Sequence, residues 1–165
     1  MRRILLLASL ALMLASALAV GGVAQANTTI GGKAQAKCKN LAIATIGPDF
    51  DPSGYTFVVG TAGNDTFTNT LGQREVFCGY GGDDVISYTE QGEFFLGGAG
   101  DDAVGGNFGT FYGGADDDYV QENVGTFYGE AGADSVTNNH SGSTFNGGDG
   151  TDSVSSNGGI LVDVP

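Results

Sequence analysis

The chain has 165 residues, with 19 Asp+Glu against 6 Lys+Arg and a formal net charge of −13. That acidity excludes a nucleic-acid binder, because too few bases remain to neutralise phosphates. The 30 Gly exclude an ordinary globular composition, the 3 Pro and the lack of a three-residue Gly period exclude collagen, and 41% hydrophobic residues exclude simple disorder.

The chain opens on Met1-Arg2-Arg3, followed by an apolar run over residues 4–20. Ala24-Gln25-Ala26 then fits the small-x-small rule of signal cleavage. Residues 1–26 are therefore expected to be a signal peptide, residues 27–59 an N-terminal segment and cap, and residues 60–165 a repeat domain. Removing the signal leaves 139 residues with a net charge of −15. The mature chain is expected to be secreted, where thiols can oxidise. No later segment approaches the roughly 20 apolar residues needed to cross a bilayer, so no membrane span is expected in it.

In the cap, residues 41–46 (LAIATI) are expected to form a strand, and residues 47–54 the turn after it. Cys38 lies in this segment and Cys78 in the repeats. Two Cys in an exported chain allow one intramolecular bridge. A Cys38–Cys78 disulfide would staple the cap onto the repeats, closing a loop worth about 4 kcal/mol in the chain-entropy model.

From Gly60 onward, six segments share one nine-residue frame, starting at Gly60, Gly79, Gly97, Gly113, Gly129 and Gly147. Position 6 is always Asp: Asp65, Asp84, Asp102, Asp118, Asp134 and Asp152. Position 8 is always apolar: Phe67, Ile86, Val104, Val120, Val136 and Val154. Two residues before each frame lies a second apolar column: Val58, Phe77, Phe95, Phe111, Phe127 and Phe145. Each period thus holds two short strands, joined by an acidic Gly-rich turn on one side and an Asn/Ser/Gly turn on the other. One coil cannot bury its apolar side chains alone, but stacked coils can, pairing as parallel strands about 4.8 Å apart. The expected fold is all-β: a parallel β-helix solenoid of about six coils with a short N-terminal cap. Dense Gly rules out a helical face.

The segments GTAGNDTF, YGGDDVI, LGGAGDDAV and GGDGTDSV resemble the calcium-binding nonapeptides of the repeats-in-toxin family, also called hemolysin-type repeats. The resemblance covers roughly residues 60–155. It implies a right-handed parallel β-roll, with Ca²⁺ held between the turns of neighbouring coils.

The residue chemistry leads the same way. Ca²⁺ takes six to eight oxygens from carboxylates and carbonyls. The six position-6 Asp supply charged oxygens. Glycines at positions 1, 2 and 4 are expected to take left-handed conformations and aim carbonyls at one spot, and Gly79, Gly81, Gly97 and Gly113 are expected metal-site residues beside the Asp. Stacked carboxylates about 4.8 Å apart repel by about 3.5 kcal/mol at an effective dielectric near 20, so a cation belongs in the ladder. Zinc would want His or Cys. The position-5 acids Asp83, Asp101 and Asp117 either add ligands or are simply solvated. Some turns depart from the frame: Thr61, Tyr80 and Glu130 stand at position 2, and Asp116 at position 4.

His140, among Asn and Ser, is expected in an exposed turn. Residues 159–165 read as a last half-coil with Leu161 in the Phe column. Its open edge can pair with another chain, which permits end-to-end self-association. No nucleophile elbow, P-loop or zinc-protease motif occurs. The expectation is a secreted, non-enzymatic calcium-binding repeat protein whose folding is coupled to the metal. The second reading is an extracellular adhesion or ligand-binding module in which calcium is only structural. Its surface would carry Thr110, Thr126 and Thr144 beside Tyr112 and Tyr128.

Overall fold

The computed structural model describes residues 24–25 and 32–164. The expected signal peptide lies outside the described residues, apart from Ala24 and Gln25. In chain order the first elements are β1 (Ala24–Gln25), α1 (Gly32–Ile46), β2 (Thr56–Val59), β3 (Asp65–Phe67), β4 (Glu75–Cys78), β5 (Val85–Thr89), β6 (Phe94–Ala99) and β7 (Ala103–Asn107). Then come β8 (Thr110–Ala115), β9 (Tyr119–Asn123), β10 (Thr126–Gly132), β11 (Ser135–Asn139), β12 (Thr144–Gly150), β13 (Ser153–Asn157) and β14 (Ile160–Val162).

The strands build a β-solenoid of two parallel sheets, ordered β1-β3-β5-β7-β9-β11-β13 and β14-β12-β10-β8-β6-β4-β2. Consecutive strands of the chain alternate between the sheets, as a two-strand coil requires. The register follows the repeat frame. Phe77 pairs with Phe95, Phe95 with Phe111, Phe111 with Phe127, and Phe127 with Phe145. Leu161 continues that column beside Phe145. Ile86, Val104, Val120, Val136 and Val154 form the facing column.

These two columns are the core. From Phe95 to Phe145 the rings stack with centroids 4.8–5.0 Å apart and planes within 12°. That spacing is set by the strands, so stacking each ring on the next costs no backbone adjustment.

Residues 41–46, expected as a cap strand, are instead the last turns of α1. Over its 15 residues α1 carries four Ala and three Lys, all strong helix formers. Cys38 and Ala42, one turn apart, are its buried positions. They pack with Val59, Cys78 and Leu96 on the outer face of the second sheet. Cys38 and Cys78 are disulfide-bonded, with Cα atoms 5.9 Å apart. Alternation does turn Cys78 away from the Phe core, but the helix then buries it completely. Among the described residues no helix is long and apolar enough to cross a membrane.

Candidate metal centre

The acidic turns line one edge of the solenoid. Positions 6 and 8 of the frame share a strand face, so the Asp side chains point inward with the core residues. All six are buried, at 0–5% exposure. They form a continuous ladder. Each backbone N–H donates to Oδ1 of the equivalent Asp one coil on: Asp65 to Asp84, Asp84 to Asp102, Asp102 to Asp118, Asp118 to Asp134 and Asp134 to Asp152, at 2.7–2.9 Å.

That bond occupies one oxygen of each carboxylate. The other, Oδ2 of Asp84, Asp102, Asp118, Asp134 and Asp152, is buried without a hydrogen-bond partner. In the first coil the orphan is Oδ1 of Asp65, because Thr61 N–H donates to its Oδ2 at 2.5 Å. Buried polar atoms are rarely left unpaired. Five aligned orphans of one atom type are a property of the repeat.

The position-1 glycines explain where these oxygens sit. A Cβ on Gly79, Gly97, Gly113 or Gly129 would lie 2.0 Å from Oδ2 of its own coil's Asp and 2.5–2.9 Å from the next coil's position-1 carbonyl oxygen. Orphan carboxylate oxygens and backbone carbonyl oxygens thus converge where a side chain would otherwise be. This corrects one expectation. Position 1 is Gly for space, and the left-handed φ falls at positions 2 and 4, as at Gly98 (φ 124°) and Gly100 (φ 113°). Tyr80, Glu130 and Asp116 adopt φ of 76–78° at those same positions. Gly81 is outside this set, since an added Cβ would meet only Ala99 O at 3.5 Å.

Electrostatics agree with the geometry. Burial, with the neighbouring acids adding, raises Asp84 and Asp102 to about 7, Asp118 to about 9 and Asp134 to about 6. Among the described residues the one ion pair is His140 Nε2–Glu122 Oε2 at 2.6 Å, far from this edge in the frame, and His140 is exposed as expected. Among the described residues no base is paired with the ladder. Nor do three His, Cys, Asp or Glu side chains gather into a cage among the described residues. A cation here would draw on stacked Asp and on carbonyls.

The position-5 acids Asp83, Asp101 and Asp117 are exposed. Their Oδ1 atoms accept from the next coil's position-5 N–H: Asp101, Asp117 and Ala133, at 2.7–3.2 Å. They grip the coils from outside, in the opposite direction to the buried ladder.

The opposite edge carries a ladder that the sequence reading passed over. Asn107 Nδ2 donates to Asn123 Oδ1, Asn123 to Asn139 and Asn139 to Asn157, at 2.8–2.9 Å. Thr89 Oγ1 donates to Asn107 Oδ1 at its head. The signal was present, since all five residues occupy position 11 of the frame. An amide both donates and accepts, so this stack satisfies itself. An ionised carboxylate only accepts, so the Asp stack cannot.

On the second sheet's outer face, Thr110, Thr126 and Thr144 align in register, and Tyr112 stacks on Tyr128 at 5.0 Å. Helix α1 covers the start of this face, and Tyr112 packs partly against that cluster. No protein-family model, curated protein or solved structure matches the chain.

Proposed function

We propose that the chain is a secreted, non-enzymatic calcium-binding β-solenoid of the repeats-in-toxin type, with Ca²⁺ held between stacked Gly/Asp turns and coupled to folding. One observation carries this reading: the row of buried Asp Oδ2 atoms without partners, each beside a backbone carbonyl of the next coil. The donor set is all oxygen and acidic, which suits a hard cation. Asp84, Asp102, Asp118, Asp134 and Asp152 would hold the ions, with carbonyls of Gly97, Gly113 and Gly129. Six Asp leave five gaps, bridged by the five ladder bonds. Bound calcium would neutralise adjacent carboxylates and satisfy their free oxygens. The Asn edge needs no such partner.

Calorimetric titration of the full chain with calcium tests the reading. Saturable binding of several ions per chain is expected, weakened at least tenfold by Asp102→Asn with Asp118→Asn. Absence of binding heat and of any variant effect would refute it.

The adhesion reading draws on the Tyr112–Tyr128 stack, which lies beside Glu130 and Asn146 in a shallow groove. Stacked aromatics on a flat sheet can hold a planar ligand face. Under that reading Tyr128→Ala abolishes surface adhesion while calcium affinity stays unchanged.

A further inference from the structure

A second buried acid pair lies on the edge opposite the Asp ladder, at the head of the Asn stack. Glu75 and Glu93 precede the paired residues Val76 and Phe94, so they occupy the same rung position in adjacent coils. Both are buried, at 2% and 1% exposure. Later coils carry Gly or Ser there: Gly109, Gly125, Ser143 and Gly159. Thr56 stands there in the first coil, so the acids are peculiar to the second and third.

Each glutamate closes its own turn through Oε2. Thr70 N–H donates to Glu75 at 2.7 Å and Glu90 N–H to Glu93 at 2.6 Å. Asn69 Nδ2 also donates to Glu93 Oε2. That contact fixes the amide, because the flipped orientation would set Oδ1 against the carboxylate. Two oxygens remain buried without partners, Glu93 Oε1 and Asn69 Oδ1. The adjacent base does not reach them. Arg74 instead lies over the Tyr55 ring, 4.3 Å from its centroid, and donates to Tyr55 OH at 2.5 Å. Glu90 turns its own carboxylate to Gly72 N–H at 3.0 Å.

We propose that Glu75, Glu93 and Asn69 form a second cation site, built from oxygen alone and suited to a hard divalent ion such as Ca²⁺. Two carboxylates and one amide oxygen would supply part of the six to eight ligands, with carbonyls and water the remainder. The absence of His and Cys disfavours zinc. The site lies on the strands of Phe77 and Phe95 and does not recur in the later coils.

The test is equilibrium dialysis of the full-length chain against calcium, counting ions per chain. Glu93→Gln is expected to lower the count by one and leave the affinity of the others unchanged. Asn69→Ala, at a half-buried position, is expected to weaken that same ion at least tenfold. It decides the matter if the Glu93 variant fails to fold. Asp118→Asn should remove ions from the other edge and spare this one. Unchanged counts in both the Glu93 and Asn69 variants would overturn the site while leaving the Asp edge intact. So would a carboxylic-acid infrared band at pH 7 in the calcium-saturated chain that Glu93→Gln removes, since a proton would then fill the role. A wild-type chain that binds no calcium would overturn both assignments together.

Discussion

An added methyl group separates two kinds of glycine in this chain. At Gly113 a Cβ would fall 2.0 Å from Asp118 Oδ2, whose other oxygen is held by Asp102 N–H. Neither group can retreat, because both belong to the rigid stack. Gly113→Ala is therefore expected to destabilise the calcium-loaded chain by about 2–3 kcal/mol. At Gly81 the nearest atom would be 3.5 Å away and φ is not left-handed. Gly81→Ala is expected to stay within about 1 kcal/mol of wild type. Urea unfolding in saturating calcium compares the two. Equal effects would show that position 1 is not the close approach that the ladder implies. The frame made both residues look alike, because a turn rich in Gly does not say which member is pressed for space.

Two ladders of opposite chemistry run along the edges of the coil stack, backbone N–H to Asp carboxylate on one and Asn amide to Asn amide on the other. Asn123 donates to Asn139 Oδ1 at 2.8 Å and to Thr144 O at 3.0 Å. Asn123→Asp keeps the shape but turns both donors into acceptors facing acceptors. It is expected to cost about 3 kcal/mol at pH 7, read from thermal unfolding, with the calcium count unchanged. The strands, columns and acid turn were legible in the sequence, because stacking ties every side chain to one frame. The Asn ladder shared that frame and was hidden only by its plain composition. The inward burial of the Asp side chains followed from the parity of positions 6 and 8. Helix α1 was not legible in the six residues 41–46, which suit a strand as well as a helix. The longer Ala- and Lys-rich window and the Cys38–Ala42 spacing carried the signal.

At the scale of the whole molecule, acid pairing governs when the solenoid is stable. A carboxyl whose folded pKa lies above its unfolded value adds stability below the unfolded pKa and loses it as pH rises through the folded one. Asp134, Asp84, Asp102 and Asp118 are raised from 3.8 to about 6, 7, 7 and 9. The metal-free chain is therefore expected to hold more β-structure at pH 5 than at pH 8. Calcium needs the ionised form, so the gain in β-structure on adding calcium is expected to be larger at pH 8. Circular dichroism at both pH values, with and without chelator, checks the crossing. At tenfold excess over Kd, each bound ion would contribute about 1.4 kcal/mol, so five would add about 7, comparable with a domain's net stability. The Gly-rich chain, costly to order, is the kind that such a sum can tip.

Far-ultraviolet circular dichroism of the full chain, first in EDTA and then in excess calcium at pH 7.5, tests the central claim most directly. A weakly structured spectrum that converts to β-sheet on adding calcium, and reverts with chelator, is the expected result. A full β spectrum in EDTA that calcium leaves unchanged would contradict it.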